Sequence, residues 1–436
     1  MGRILGNADK FTDKQVAETL TMLVAQGVKR GASDIHIEPH ERFVLVRYRI
    51  DGSLCGIHKL PRASLVTVMA QLKKLADLNE QENHAPQEGT YTIEDEDGSR
   101  IGIRLSTMPV FGGEKAVLHL SASHGAPLSL EDLGFWGKGL NVMQHVLTSP
   151  AGLVLVAGPK HSGTATTLFS LVSMVHTPLV STATVETHHK HRLPGVSQTY
   201  IGDTSSMSMS NGLKAALKQD PNIIMLSSLP DSETIQQAIQ AATKGHLLLA
   251  GMHADNSCQA VLRVRAAGDE PFLLVTSLRA SVGQRLVRKL CPNCRERYQL
   301  SAEEQKELNH TFGITTQSAF KKVHELEMLA APAIFGDVKQ LSTTGLAITH
   351  LWRPGERGCE SCDRTGYKGR TAIVEVLENT EALHKHLLNR DVNSAAVLQA
   401  AAIKDGFVPM ALDGLVKALR GHTTVSEVLR AVQPVA

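Results

Sequence analysis

Apolar residues follow two different patterns along the chain. In the first part, an amphipathic stretch over residues 13–30 predicts a helix, and alternating positions over Phe43–Ile50 predict a strand. A second helix is predicted at about 63–78. Further strands are predicted at 89–93, 99–105 and 117–120. This mixture predicts an α+β domain, and the turn-rich segment 121–127 is its expected boundary.

From about residue 150 the pattern changes to short, almost continuously apolar runs. These runs cover residues 153–157, 223–226 and 247–251, and helices are predicted between them at 212–219 and 232–244. Strands that are apolar on both faces are typical of a parallel sheet covered by helices. The second part is therefore predicted to be an α/β domain with a parallel sheet. A polar insertion without strong periodicity follows Cys294 up to about Gly358, and short helices are predicted at 413–420 and 426–432.

Composition narrows the classes of function. A chain of 436 residues is too long for one core and predicts two or three domains. A net charge of +2 and an aromatic content of 4% argue against a nucleic-acid partner. The N-terminus has no apolar signal segment, and no apolar run reaches the ~18 residues of a membrane span. We therefore expect a cytoplasmic protein that touches a membrane only through partners.

The segment after the first apolar run has the frame of a phosphate-binding loop. Such loops read G-x-x-x-x-G-K-[ST], with a lysine for the outer phosphates and a hydroxyl for Mg²⁺. Gly158 and Gly163 keep the spacing, whereas Thr164 stands at the lysine position and Ala165 at the hydroxyl position. Backbone N–H groups and the start of the next helix survive these changes. The segment is either a weak nucleotide site or a glycine turn between strand and helix. The candidate contacts are Gly158, Lys160, Ser162, Gly163, Thr164, Thr166 and Thr167.

Four of the six cysteines form two C-x-x-C pairs. Cys291 pairs with Cys294, and Cys359 pairs with Cys362. Four thiolates at this spacing predict a tetrahedral Zn²⁺ site with no open coordination position, and hence a structural role. Disulfides are the alternative, which a reducing cytosol disfavours. The remaining two, Cys55 and Cys258, are predicted to be packing residues.

Ten further segments occur in a characteristic order along the chain. They are GASDIHIEP (31–39), VRYRIDG (46–52), PQEG (86–89), RLSTMP (104–109), GEK (113–115), QDPNIIM (219–225), DSET (231–234), AATKGH (241–246), QRLVRKLC (284–291) and GYKGR (366–370). Taken together, these segments resemble the secretion-type hexameric ATPases that drive type IV pilus assembly and type II secretion. The similarity covers essentially the whole chain.

The resemblance implies that the chain has four regions and that several copies of it assemble into a ring. The four regions are a PAS-like domain (1–122), a RecA-like P-loop domain (130–290), a zinc-binding subdomain with a polar insertion (291–370) and a C-terminal helical region (371–436). It also implies a homo-hexamer, or a mixed ring with an active paralogue, that contacts pilus or secretion platform proteins of the inner membrane. ATP with Mg²⁺ would bind between the first two domains.

The resemblance further implies trans-acting arginines in the N-terminal half. Arg47, Arg49 and Arg104 match the family positions, whereas Thr90 and His119 stand where further arginines are usual. Arginines of this kind supply large rate factors in phosphoryl transfer. The matching arginines could equally serve subunit salt bridges.

Other family motifs are altered as well. The second nucleotide motif of the family ends its strand with Gly-Glu, and the glutamate helps to position or activate water. Ser227 and Ser228 stand at these positions here, and a serine cannot act as a general base near neutral pH. Glu186 is retained in the acidic box, but Thr187 replaces the aspartate that should follow. The basic run 188–191 is either a solvated loop or a metal site.

His253 is retained at the family's histidine box, either as a phosphate sensor or as an ordinary polar contact. Together these departures predict a ring subunit with lost or strongly reduced ATP hydrolysis and a structural or regulatory role. One alternative is an active ATPase that uses Lys160 and Glu186 in atypical roles. The other is a zinc-clipped scaffold that binds no nucleotide.

Overall fold

A computed structural model describes residues 3–4, 13–94, 100–122, 127–187, 192–202, 207–268, 270–334, 341–344, 346–389 and 394–432. The chain forms two compact units. Unit 1 consists of residues 1–126 with 190–192, and unit 2 consists of residues 127–189 with 193–436. The expected boundary at 121–127 falls partly outside the described residues, as does the whole of the basic run 188–191.

Unit 1 is built on a seven-stranded sheet. Its strands, in chain order, are β1 (Arg3–Ile4), β2 (Ala32–Pro39), β3 (Phe43–Ile50), β4 (Ser53–Pro61), β5 (Gln87–Glu94), β6 (Arg100–Val110) and β7 (Gly113–Ala122). They lie in the order β1-β4-β3-β2-β7-β6-β5. All neighbouring pairs are antiparallel except β1 with β4.

Two helices, α1 (Asp13–Lys29) and α2 (Leu65–Leu75), contribute to the core of unit 1 with one face of the sheet. Successive side chains of β2 point to opposite faces of the sheet, so only one face contributes to this core. Ile35 and Ile37 are fully buried in it, whereas Asp34 projects to the opposite face. The hydroxyl of Tyr48 donates to the carbonyl oxygen of Leu23 in α1 at 2.6 Å. Burial raises the pKa of Tyr48 to about 12.

Unit 2 has its own seven-stranded sheet. Its strands are β8 (Gly152–Ala157), β9 (Thr182–Glu186), β10 (Ser197–Tyr200), β11 (Ile223–Leu226), β12 (Leu247–Met252), β13 (Leu278–Leu290) and β16 (Tyr367–Glu378). They lie in the order β10-β9-β11-β12-β8-β13-β16. All pairs are parallel except the last, in which β13 and β16 run antiparallel. The parallel strands all end at the same edge, and we call this the carboxyl edge.

Helices cover both faces of this sheet. They are α3 (Gly137–Leu147), α4 (Thr164–Val175), α5 (Met209–Leu217), α6 (Ser232–Thr243), α7 (Ser257–Ala267), α8 (Pro271–Ser277), α11 (Glu381–Leu388) and α12 (Ala395–Lys404). Every residue of β8 is buried: Leu153 and Leu155 pack with α5 to α8, whereas Val154 and Val156 pack with α3 and α4. Burial on both faces explains the continuous apolar runs in the sequence.

The segment between the cysteine pairs is ordered where it is described. It contains the antiparallel strands β14 (Arg295–Gln299) and β15 (His350–Pro354) and the helices α9 (Ala302–Thr311) and α10 (Gln317–Ile334). Two further helices, α13 (Met410–Leu419) and α14 (Val425–Val432), follow near the C-terminus. Leu308, Val323 and Leu415 belong to one small core. The lack of periodicity in the sequence therefore hides two helices.

Two residues of α13, Asp413 and Lys417, form an ion pair on the buried face of the helix. The Lys417 ammonium donates to a carboxylate oxygen of Asp413 at 2.7 Å, and also to the carbonyl oxygens of Gly134 and Ala372. Asp413 accepts in addition from the indole N–H of Trp136 and from the backbone N–H of Val374. This network connects α13 with β16 and with the chain that precedes α3.

Candidate functional site

The phosphate-loop segment lies at the carboxyl edge of unit 2. It begins where β8 ends, and the Gly158 N–H donates to the carbonyl oxygen of Met252 at the end of β12 at 3.1 Å. Helix α4 starts at Thr164, and its N-cap residue Gly163 has a left-handed backbone with φ of 89°. Open α/β sheets bind their ligands at this edge. The loop therefore has the position and the glycine geometry of a phosphate site.

His161 keeps the left-handed backbone that a glycine would favour. Its φ is 66°, although it carries a Cβ that makes this region costly by about 1 kcal/mol or more. A residue held in such a conformation persists where the surrounding structure determines it, and such residues cluster at functional sites. The histidine therefore strains the loop backbone.

Gln284 in β13 holds the loop from below. Its side-chain amide donates to the carbonyl oxygen of Ser162 at 2.9 Å and accepts from the hydroxyl of Thr167 at 2.9 Å. A Cβ on Gly158 would lie 2.2 Å from the hydroxyl oxygen of Ser162, so only glycine fits there. These contacts need neither the missing lysine nor the missing hydroxyl. Gln284 was not among the predicted site residues, and its only local signal is that it is a polar residue inside a buried strand.

The other loop residues differ in exposure. Lys160 and Ala165 are exposed, Thr164 and Thr166 are half-buried, and Thr167 is buried. Ala165 brings a methyl group, and not a hydroxyl, to the first turn of α4. The loop thus offers backbone N–H groups and neutral hydroxyls, with one exposed ammonium.

Serine and threonine side chains meet at the end of β11. The hydroxyl oxygen of Ser227 accepts from the backbone N–H of Thr187 at 3.1 Å, and the two hydroxyl oxygens are 3.4 Å apart. Asp231 caps α6, because its carboxylate accepts from the N–H and the hydroxyl of Thr234 at 2.8 Å each. The residues that replace the second motif therefore form a neutral junction between β9 and β11.

Glu186 ends β9 and is buried. One of its carboxylate oxygens accepts from the hydroxyl of Thr184 at 2.5 Å and from the side-chain amide of Gln198 at 3.0 Å. Three strand spacings separate β9 from β8 in the sheet, which corresponds to about 14 Å. Glu186 shares the carboxyl edge with the loop, but its hydrogen bonds hold β10 against β9.

His253 follows β12, the neighbour of β8. Its side chain is exposed, and its carbonyl oxygen accepts from the guanidinium of Arg263. Two residues further on, Asp255 pairs with Arg285 at 3.6 Å. The imidazole is therefore accessible on the strand next to the phosphate loop.

The three candidate arginines lie in unit 1, and each pairs with a carboxylate of that unit. Arg47 contacts Glu38 at 2.6 Å, and Arg49 contacts Asp34 at 3.3 Å. The third, Arg104, contacts Glu88 at 2.8 Å. These pairs are formed within a single copy of the chain.

His119 joins the same face of the unit 1 sheet. Its Nδ1 lies 2.6 Å from Oδ1 of Asp34, and the other carboxylate oxygen, Oδ2, accepts from the Ser33 hydroxyl. Burial opposes ionisation of Asp34, but the hydrogen bonds of His119 and Ser33 and the charges of His119 and Arg49 lower its pKa to about 2. The usual arginine position is thus filled by a partner of Asp34.

The four paired cysteines converge where β13 ends and β16 begins. Their sulfur atoms all lie within 4.8 Å of one another. The Sγ atoms of Cys291 and Cys359 are 3.6 Å apart, and those of Cys294 and Cys362 are 3.8 Å apart. Two backbone N–H groups, of Cys359 and Gly366, donate to the sulfur of Cys362. This cluster could hold one metal ion, and the same pairs therefore come together as the spacing predicted.

No described helix is long and apolar enough to cross a membrane.

Comparison with known proteins places these features in context. The type II secretion system protein E of Aeromonas hydrophila is 33% identical over 425 residues, covering 98% of this chain and 77% of that protein. The type IV pilus assembly ATPase PilB of Thermus thermophilus is 34% identical over 408 residues, covering 93% of this chain and 42% of that protein.

Two solved structures show the same fold at low identity. The Legionella pneumophila ATPase DotB superposes with a TM-score of 0.64 at 16% identity, covering 98% of both chains. The pilus retraction motor PilT with bound ADP superposes with a TM-score of 0.57 at 17% identity, covering 94% of this chain and 96% of that one. With the two sheets described above, this likeness confirms the predicted fold class. The family model described as type II/IV secretion system protein matches residues 9–430, and the chain belongs to that family.

Proposed function

We propose that this chain is a ring subunit of the type II secretion or type IV pilus assembly kind in which ATP hydrolysis is lost or strongly reduced. One observation carries the proposal. The chain runs from β8 into α4 through left-handed residues at 161 and 163, while Thr164, Ala165 and Ser228 occupy the positions of the charge, the Mg²⁺ ligand and the water-activating carboxylate. The role that remains is structural or regulatory.

The expected loss of rate can be bounded. Phosphoryl transfer depends on positioning and on electrostatic stabilisation of the transition state. Each missing donor of such stabilisation costs about 10²–10³ in kcat. Two losses from a typical kcat of about 10 s⁻¹ leave about 10⁻³ s⁻¹ or less. The neutral junction of Ser227 and Thr187 supports this estimate, because it contains no carboxylate.

The loop would contact phosphates through backbone groups. We propose the N–H groups of Lys160, His161, Gly163 and Thr164 as the cradle, with the N-terminus of α4 behind them. The residues assigned to this cradle and its support are Gly158, Lys160, Ser162, Gly163, Thr164, Thr166 and Thr167. Glu186 and His253 are proposed as residual members of the site at the carboxyl edge.

Arg47, Arg49 and Arg104 are proposed as cations of a phosphate site in the assembled ring. Their present carboxylate partners, at 2.6 to 3.3 Å, support a second role as salt bridges that order the sheet face. The four-part division of the chain at 122, 290 and 370 is likewise a proposal that accompanies the ring. So is a homo-hexamer, or a mixed ring with an active paralogue.

We propose that the ring works at the cytoplasmic face of the inner membrane. Its partners there would be platform proteins of a pilus or secretion machine, because proteins named for both systems are about one-third identical to this chain.

A structural Zn²⁺ ion is proposed for the cysteine cluster. Four sulfur ligands at about 2.3 Å from a tetrahedral zinc ion lie about 3.8 Å apart. The observed separations of 3.6, 3.8 and 3.7 Å fit this geometry. The ion would fasten the end of β13 to the start of β16, and it would have no free position for chemistry.

The test measures phosphate release from Mg²⁺-ATP by the full chain, alone and with any intact paralogue. We expect turnover at or below about 10⁻³ s⁻¹ for the chain alone. Turnover of about 1 s⁻¹ would overturn the proposal and favour an active ATPase that uses Lys160 and Glu186. A stable oligomer that binds no nucleotide would favour the scaffold alternative.

A matched variant sharpens this test. Thr164→Lys, Ala165→Ser and Ser228→Glu together restore the three chemical groups on the same backbone. If the three replacements caused the loss, the restored variant should hydrolyse ATP at least about 10-fold faster than the parent chain.

A further inference from the structure

We infer that the loop at residues 158–163 binds the phosphates of a nucleoside di- or triphosphate without Mg²⁺. This inference rests on the proposed function, because it concerns the same loop. It goes further, because it states which form of the ligand the site accepts. The family implies a Mg²⁺ ion, and the side chains of this chain do not fit one.

The first missing ligand is on α4. Mg²⁺ requires hard oxygen ligands in near-octahedral geometry, and in phosphate loops it takes a hydroxyl from the first turn of the helix. Here that position is the methyl group of Ala165. The hydroxyl of Thr167, two residues further along α4, is turned the other way, since it donates to Gln284 at 2.9 Å beneath the loop.

The second missing ligand is at the end of β11. That strand lies two spacings from β8, about 10 Å away, across the edge where the ion would sit. Ser227 and Ser228 replace any carboxylate there, and Ser227 accepts from the Thr187 N–H at 3.1 Å. A neutral hydroxyl is a poor substitute for a carboxylate as a Mg²⁺ ligand.

Three described carboxylates at this edge have other partners. Glu186 accepts from Thr184 and Gln198, and Asp231 accepts from Thr234 as the cap of α6. Asp255 faces the guanidinium of Arg285 at 3.6 Å. A cation at the loop would have to compete with each of these contacts. Asp231 and Asp255 are exposed, whereas Glu186 is buried.

What remains of the site does not depend on a metal. Gln284 fixes the carbonyl oxygen of Ser162 and the hydroxyl of Thr167, and left-handed residues at 161 and 163 curve the loop. Successive N–H groups in such curved segments form concavities for anions. The dipole of α4, a helix of 12 residues, adds to the same potential. Phosphate recognition is therefore built from the backbone.

The test is calorimetric titration of ADP and ATP into the full chain, once with excess Mg²⁺ and once with excess EDTA. We expect dissociation constants that agree within about twofold between the two buffers. If EDTA weakens binding about 10-fold or more, the inference is wrong. Absence of binding at millimolar nucleotide also overturns it, but leaves a non-hydrolysing ring subunit intact. Phosphate release in the same samples tests the proposed function separately.

Three variants locate the effect. Gln284→Ala should weaken binding equally in both buffers, with the circular dichroism spectrum unchanged. Ala165→Ser combined with Ser228→Glu should make binding at least about 10-fold tighter in Mg²⁺ than in EDTA; if it does not, ligand loss is not the cause of metal independence. Asp255→Asn should leave both constants unchanged, and a change confined to Mg²⁺ would identify Asp255 as a metal ligand and overturn the inference.

Discussion

Gln284 and Thr167 are 117 residues apart in sequence, and the Thr167 hydroxyl donates to the Gln284 side chain at 2.9 Å. The same side chain donates to the carbonyl oxygen of Ser162. Replacement by Gln284→Leu leaves two buried groups without a partner and should cost about 1–3 kcal/mol of unfolding free energy for unit 2. Urea denaturation followed by circular dichroism measures this loss.

Gln240→Leu is the matched control, because Gln240 is exposed on α6. Its effect should stay within about 0.5 kcal/mol. Thr167→Val with Gln284→Leu completes a double-mutant cycle, in which the two changes should be less than additive. Strict additivity would show that the contact does not couple the two residues.

Replacing the strained His161 by glycine should increase the stability of unit 2. His161→Gly removes the Cβ from a residue with φ of 66° and should stabilise unit 2 by about 1 kcal/mol. The same measurement on Asp220→Gly, at φ of 50°, should show a smaller gain, because aspartate tolerates this region better than histidine does. Destabilisation by His161→Gly would mean that the imidazole contributes contacts which outweigh the strain.

Unit 1 should lose stability in acid through Asp34. Its pKa falls from 3.8 in the unfolded chain to about 2 in the folded one. A lowered carboxyl pKa contributes stability that is complete above the unfolded value and is lost as the pH falls from 3.8 towards 2. With allowance for partial exposure, this contribution is about 1–2 kcal/mol near neutral pH.

Comparison of the parent chain with Asp34→Asn tests this pH dependence. The difference in unfolding free energy should be constant from neutral pH down to the unfolded value and should then shrink. His119 and Arg49 face Asp34 from β7 and β3, and His36 lies on the same strand as Asp34. Because salt screens the interactions of these charged groups with Asp34, the unfolding free energies of both proteins are measured at one ionic strength. A difference that does not change across the acid range contradicts the prediction.

The buried ion pair of α13 should be sensitive to loss of one partner. Lys417→Met leaves the Asp413 carboxylate buried without its cation and should cost about 3–5 kcal/mol. Adding Asp413→Asn should recover part of this cost, because the buried charge is then removed as well. Lys404→Met, at an exposed position on α12, is the control and should change stability by less than about 0.5 kcal/mol.

Zinc content should depend on the clustered cysteines alone. Cys359→Ser should release the metal and lower the melting temperature, whereas Cys258→Ser should keep one zinc ion per chain. Colorimetric zinc release after thiol modification measures both. Metal-free protein whose four thiols prove to be two disulfides would contradict the zinc proposal.

The local patterns of the chain predicted seven of the sixteen strands and six of the fourteen α-helices that the structure describes. Phe43–Ile50 and Ile223–Leu226 occur at the positions that were expected from alternation and from continuous apolarity. β6 runs to Val110, past the predicted end at 105, because its pairing with β7 continues through Pro109. Helix α9 was overlooked, although Ser301 and Glu304 form a capping box, because only Leu308 is buried on it.

The site was predictable only where its residues are close in sequence. The glycines of the loop and each cysteine pair follow local spacing, which the sequence displays. The contact of Gln284 with Ser162 and the junction of Ser227 with Thr187 join separate strands, and no local rule identifies them. Which arginine pairs with which carboxylate in unit 1 depends on strand register in the same way.

The pairing of β13 with β16 has a consequence for how this chain can change. Leu290 and Tyr367 are register partners, so the chain leaves the sheet and returns to it at adjacent points. The cluster of Cys291, Cys294, Cys359 and Cys362 lies at these two points, which we call the neck. A segment that leaves and re-enters the sheet at adjacent points can take insertions in its exposed loops without shifting the strands on either side, provided that the core shared by Leu308, Val323 and Leu415 is kept. The exposed loops beyond the neck are therefore natural positions for grafting a reporter or an affinity domain into the subunit.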